Sequence, residues 1–221
     1  MATIQATADR RSDARPGALE PRGPARFIAD PAAVGLAGFG LTTFALGMIN
    51  VGALSTTALP VIFPLALAYG GIVQLLAGMW AFIRGDTFAA VAFSSYGGFW
   101  ISFWALNAFF LKQIPAGEQG AALGLYLALW GFFTLWLWLA SFRVNWAVNL
   151  VLLTLVAAYG LLAAGKTADS VTTYNIGGAF TLATAAIAWY VAAAVTINQT
   201  FGRNILPLGE RRPVQQDVPG A

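Results

Sequence analysis

The chain has 221 residues, of which 58% are hydrophobic and only 10% charged. A soluble domain is about one quarter charged, so this composition belongs to a membrane protein. With no Cys and no His, disulfides, thiolate or imidazole metal sites and the usual nucleophile–base pairs of hydrolases are all excluded.

Residues 1–29 are rich in Arg, Pro, Gly and Ala and lack the apolar core of a signal peptide. They read as a disordered polar tail. Asp30-Pro31 is an N-cap followed by proline at the first helical position. From there the charges divide the chain into apolar blocks. Pro31 to Ile83 holds two helices, broken near Ser55-Thr56-Thr57 and reopened at Pro60. Arg84-Gly85-Asp86 is a tight turn in which Gly85 ends one helix and Asp86 or Thr87 caps the next. The third span is Thr87 to Leu111, and the fourth, after a Pro/Gly loop, is Gln119 to Phe142. Val144 to Gly165 is the fifth, and the sixth runs from Ser170 to about Thr200. At ~1.5 Å per residue each block is long enough to cross ~30 Å of hydrocarbon. The expected fold is all-α: a polytopic membrane protein with six transmembrane helices in one domain, residues 30–202, followed by a C-terminal tail, 203–221. Short links place each helix antiparallel to the next.

The basic residues give the orientation. Five lie in the N-terminal tail, Arg84 and Arg143 in two links, and Arg203, Arg211 and Arg212 in the C-terminal tail. Only Lys112 and Lys166 lie on the opposite side. Such a bias places both termini in the cytoplasm of an inner or plasma membrane. Trp80, Trp136, Trp138 and Trp146 then fall near cytoplasmic helix ends, as an interfacial belt requires. Glycines recur within the spans, including Gly70-Gly71, Gly97-Gly98, Gly177-Gly178 and the pair Gly120 and Gly124. Close helix packing is their plainest role.

None of these six blocks contains Asp, Glu, Lys, Arg or His. Proton relays, voltage sensors and embedded catalytic acids need such residues, so an intramembrane enzyme is not expected. No cofactor, metal or nucleic-acid partner is implied. What remains is a conduit lined by neutral donors and apolar side chains, or a non-conducting membrane subunit. Counting ~1.5 Å per residue from the cytoplasmic ends puts Gln74 and Tyr96 ~13 Å deep, Phe39 ~12 Å and Leu155 ~16 Å, all near the midplane. Asn50 and Asn107, at ~28–30 Å, lie near the outer mouth. Gln74, Asn50, Thr43 and Ser95 are the polar candidates for a pathway lining. For Gln74 an interhelical hydrogen bond is the competing role.

Asp30-Pro31-Ala32-Ala33-Val34-Gly35-Leu36 with Gly38-Phe39 resembles the first-helix signature of the acetate uptake transporter family of the SatP/YaaH type. Further motifs of that family recur in order. Tyr69-Gly70-Gly71, Gln74, Gly85-Asp86-Thr87-Phe88, Ser95-Tyr96-Gly97 and Phe99-Trp100 form one block, and Leu129-Trp130-Gly131 with Phe133-Thr134 another. Asn198, Phe201-Gly202-Arg203 and Leu206-Pro207-Leu208-Gly209 close the series. The resemblance implies six helices around a narrow pore in each subunit, a hexamer in the lipid bilayer, and passage of acetate and similar short monocarboxylates, with succinate as a further candidate. It also implies a central constriction, which falls on Phe39, Tyr96 and Leu155. A pore for a small neutral solute such as ammonia or urea is the alternative. The chain departs from the family pattern at Asp30, where the signature has Asn, at Ala33 in place of its second Pro, and at Ala81, where the family often has an acidic residue. It departs again at Asp86 in place of Asn, and at Gln199 in place of Glu.

The charge bias makes a direct prediction about topology. In intact cells an impermeant thiol reagent should label Ala116→Cys and leave a cysteine at either terminus unlabelled. Labelling of a terminal cysteine in sealed cells would reverse the orientation.

Overall fold

The computed structural model describes residues 28–210. The expected N-terminal tail and the chain beyond residue 210 lie outside the described residues, apart from Ile28 and Ala29. Six helices, each long and apolar enough to cross a membrane, follow in order. They are α1 (Ala32–Asn50), α2 (Thr56–Arg84), α3 (Thr87–Gln113), α4 (Gln119–Ser141), α5 (Trp146–Thr167) and α6 (Val171–Phe201). Among the described residues there is no strand, only an isolated bridge between Asn145 and Glu210. The six expected spans are therefore present, most ends shifted by one or two residues, while the second starts at Thr56, four residues before the expected Pro60. The shift matters at one end: Arg84, Lys112 and Lys166 belong to the last turns of their helices rather than to the links.

The helix ends follow their capping chemistry. Asp30 Oδ1 accepts from the Ala32 N–H at 2.9 Å, and Asp86 Oδ1 from the Ala89 N–H at 2.9 Å. Asn145 Oδ1 accepts from the Val148 N–H at 2.8 Å and Ser170 Oγ from the Thr173 N–H at 3.3 Å. Each bond satisfies an amide that the first helical turn leaves without a partner. Gly85 closes α2 with a positive φ of 75°, which glycine adopts at no steric cost.

Around the bundle, α1 packs along α6, α6 along α5 and α5 along α4, while α2 pairs with α3 and returns to α1. The backbones of α3 and α4 approach closely at few positions, because bulky aromatic side chains fill the space between them. Elsewhere glycine allows close approach. A Cβ on Gly97 of α3 would lie 2.7 Å from Leu75 N and 2.9 Å from Gly71 O of α2. One on Gly178 of α6 would lie 2.6 Å from Asn50 O at the end of α1. Either contact is too short for any side chain, so the packing role expected of these glycines holds at both. Gly98, by contrast, faces open space.

Two irregularities bear on the site. Helix α2 carries Pro64 and then a widened π-helical turn, Ala68–Val73, immediately before Gln74. Proline removes one backbone donor, and a π-turn relaxes the ladder; such turns gather at functional positions. At the other end of the chain, residues 203–210 fold back over the bundle. Asn198 accepts from the N–H groups of Ile205 and Leu206 at 2.8 and 2.9 Å, and its own amide donates to Leu206 O at 2.8 Å. Gly209 O and Leu208 O in turn accept from the N–H groups of Trp146 and Ala147, which open α5. The first residues of the expected C-terminal tail thus form a strap across one end of the bundle.

Candidate functional site: two cavities along a three-helix stripe

Antiparallel neighbours make α1, α3 and α5 run in one direction, away from the side where both ends of the described chain lie. Each presents one stripe of side chains to the bundle interior. On α1 the stripe is Ala32, Leu36, Phe39, Thr43, Leu46 and Asn50, spaced three or four apart as one helical face requires. On α5 it runs from Val148 through Leu152, Leu155, Tyr159 and Leu162 to Lys166, and on α3 from Phe88 through Tyr96 and Phe103 to Asn107. These stripes line two cavities. A wide one of about 1090 Å³ lies on the side of the chain ends, rimmed by Asp30, Asp86, Arg143, Arg203 and Glu210. A smaller one of about 160 Å³ lies on the far side, reaching Asn50, Asn107, Lys166 and Tyr174.

Phe39 and Leu155 line both cavities, and Tyr96 lines the wide one beside them. All three are buried, with 4–5% of their surface exposed. The rings of Phe39 and Tyr96 stand 5.5 Å apart, tilted by 49°. Tyr96 is fixed from behind by α4. Its hydroxyl donates to Thr134 Oγ1 at 3.0 Å, and its ring meets Phe133 edge-on at 5.6 Å. Thr134 in turn donates to Trp130 O at 2.7 Å. The hydroxyl is therefore committed to α4, and what Tyr96 offers the interior is ring surface. Phe99, one turn further along α3, packs edge-on against Trp130 at 5.2 Å and Tyr159 at 5.7 Å. Bulky aromatics on both sides leave Tyr96 little freedom to swing away.

The polar candidates separate clearly. Gln74 lines the wide cavity, is 1% exposed, and its Oε1 has no hydrogen-bond partner in the structure. An interhelical bond does not account for it. Thr43 lines the far cavity with its buried Oγ1 equally without a partner. Asn50 lines the same cavity, its Oδ1 accepting from the Tyr174 hydroxyl at 2.9 Å. Ser95 lines neither cavity. Sequence reasoning did not single out Thr134 as the partner of Tyr96, or Lys166 and Tyr174 as lining residues. Thr134 lies in an apolar run with no charge to mark it, and Lys166 looked like the first residue of a link.

Two departures from the family pattern prove to be two ends of one contact. Gln199 Nε2 donates to Asp30 Oδ2 at 3.3 Å. Both residues line the wide cavity. Arg84 also donates to Ile28 O, tying the lead-in segment to the α2–α3 turn.

Six helices of membrane-crossing length, enclosing two cavities that share Phe39 and Leu155, define a multi-pass membrane protein. The chain belongs to the GPR1/FUN34/yaaH family, whose model matches residues 12–207. It is 35% identical over 183 residues to the succinate-acetate/proton symporter SatP of Escherichia coli strain K12, covering 83% of this chain and 96% of that protein. It is 38% identical over 199 residues to acetate permease A of Emericella nidulans, covering 83% and 67% respectively. The structure of the bacterial acetate channel SatP superposes with a TM-score of 0.77 at 35% identity, over 82% of this chain and 99% of that one. These relatives are transporters and a channel, not enzymes.

The unpartnered Gln74 amide predicts that Gln74→Leu leaves the thermal midpoint of the detergent-purified protein unchanged or raises it. No hydrogen bond to another protein group is lost, because Gln74 Oε1 has no partner in the structure. A clear drop in the midpoint would show that Gln74 holds helices together.

Proposed function

We propose that the protein passes acetate and similar short monocarboxylates across the cell membrane, through the level of Phe39, Tyr96 and Leu155 in each subunit. The observation that carries this reading is that Phe39 and Leu155 line both cavities, in a chain similar to SatP and acetate permease A, which are named for acetate. Both termini face the cytoplasm, so the wide cavity opens inward and the far cavity outward; the distribution of basic residues supports this. The assembly is a homo-oligomer, a hexamer by family resemblance. The exposed apolar side chains of α4, among them Leu125, Leu129, Phe132 and Leu139, supply surface for neighbouring subunits or lipid.

The mechanism follows from the chemistry of the narrow level. Two aromatic rings and a leucine offer neither cation nor hydrogen-bond donor, since the Tyr96 hydroxyl is engaged with Thr134. A bare carboxylate would lose its hydration there without compensation, whereas the undissociated acid loses far less. Gln74 lines the inner cavity and Thr43, one turn from Phe39 on α1, the outer one, and neither side-chain oxygen has a hydrogen-bond partner. Each can exchange bonds with water or with a carboxyl group as it leaves or enters the ring. The solute sheds its charge before the ring and regains it beyond, so net acid moves with its own proton.

Uptake should accordingly rise as outside pH falls, because each unit above the acid's pKa lowers the neutral fraction about tenfold. Two monocarboxylates of similar size and different pKa should give uptake profiles displaced by their pKa difference. A shared profile would point to a titrating protein group, and pH-independent flux to anion conduction. In the same proteoliposomes Phe39→Ala should admit larger acids while leaving the pH profile in place. Loss of acetate flux with the assembly intact would assign Phe39 a role beyond setting width.

A further inference from the structure

The far cavity contains a cation that nothing in the apolar narrow level calls for. Lys166 stands in the last turn of α5 and lines this cavity. A lysine at a helix C-terminus can be there only to complement the helix dipole, but its surroundings are more specific. Its ammonium lies over the ring of Tyr174, 4.5 Å from the centroid, a cation–π contact that holds the charge at the cavity wall. The hydroxyl of the same tyrosine donates to Asn50 Oδ1 at 2.9 Å. With its carbonyl occupied, Asn50 has its NH2 group to present as a donor. Two turns inward on the same face of α1 is the buried Thr43 hydroxyl, which has no partner. Lys166, Asn50 and Thr43 therefore place a charge, an amide donor and an unused hydroxyl on the wall of one cavity of about 160 Å³.

We propose that Lys166, seated on Tyr174 and flanked by Asn50, is a receiving site for the carboxylate group of a short monocarboxylate at the outer mouth. This rests on the reading of the two cavities as one solute path, and it adds a function for the outer one. The ammonium captures the anionic form, which dominates in neutral medium, by a charge-assisted hydrogen bond. Tyr174 is a positioning residue: its face holds the ammonium and its hydroxyl sets the Asn50 amide. The far cavity is small, so a carboxylate with a short alkyl tail fits between Lys166 and the ring with that tail against Leu46 and Leu162. Selection for charge at the mouth thus precedes selection for width at the ring. Lys166 governs apparent affinity, and Phe39, Tyr96 and Leu155 govern what passes.

The test is uptake of labelled acetate into oriented proteoliposomes, with KM and maximal rate measured separately for wild type, Lys166→Met, Lys166→Arg and Tyr174→Phe. Lys166→Met should raise KM roughly 10-fold, the contribution of a charge-assisted hydrogen bond, with little change in maximal rate. Lys166→Arg should restore most of the affinity. Raising ionic strength should weaken wild-type affinity more than that of Lys166→Met, because the variant has no charge left to screen. Tyr174→Phe, which keeps the ring and releases Asn50, should give a smaller rise in KM. A Lys166→Met KM within about twofold of wild type, with the same salt dependence, would overturn the proposal. A second measurement is independent of transport: acylation of Lys166 by an amine-reactive ester, followed by mass spectrometry, with acetate or chloride present. Acetate should protect Lys166 and chloride should protect it less; equal modification in both would also overturn the proposal. If the wild-type protein carried no carboxylate at all, the path reading would fall, and the protection measurement would still decide the outer site.

Discussion

A charge cannot be moved cheaply into an apolar, donor-free constriction, and most of this structure is arranged around that cost. For an isolated carboxylate the penalty in a low-dielectric medium is on the order of tens of kcal/mol, and the practical escape is neutralisation. In the proposed path the level of Phe39, Tyr96 and Leu155 imposes the penalty most sharply, because the one polar side-chain atom of these three residues, the Tyr96 hydroxyl, is turned to Thr134 on α4. The charged groups sit where water reaches them: Asp30, Asp86, Arg143, Arg203 and Glu210 around the wide cavity, and Lys166 in the far one. Charged groups at both ends and an uncharged middle suit a solute that crosses as a neutral molecule.

Holding three side chains at one level from three separate helices requires a rigid frame. Close glycine contacts between α2 and α3 and between α1 and α6 fix the backbones that carry Tyr96 and Phe39. The strap of residues 203–210 caps the start of α5, the helix of Leu155, by bonding its first amides. The aromatic layer of Trp130, Phe133 and Tyr159 fills the wider gap between α3 and α4. The hydrogen bond from Gln199 to Asp30 ties the lead-in of α1 to α6.

The helices were legible because lipid excludes charge, so Arg84, Lys112, Arg143 and Lys166 mark helix ends in the sequence. Capping was legible for the same local reason: Asp86 and Gly85 do at the α2–α3 turn what their side chains dictate. The inward face of each helix was not. In a soluble bundle a buried stripe contrasts with a polar outer face, but here both the lipid side and the path side are apolar. Nothing in the periodicity distinguishes Leu155 from Leu153, which is exposed; only family resemblance did so. Polar residues were better markers, since Gln74, Thr43 and Asn50 all line a cavity, though Ser95 does not. Lys166 carried no such mark, because sequence alone does not show that a residue ending a helix also turns inward.

The central claim is that the ring of Phe39, Tyr96 and Leu155 is closed to ions and separates two aqueous compartments. The chain has no cysteine, so single substitutions report accessibility without background. Silver ion, small enough for the far cavity and reactive with thiols, should be applied from outside to sealed cells carrying Leu46→Cys or Leu36→Cys, one on each side of Phe39. Leu46→Cys should react from outside and Leu36→Cys only when silver is admitted to the cytoplasmic side. Equal reaction of Leu36→Cys from outside would mean that ions pass the ring, and the neutral-acid mechanism would be wrong.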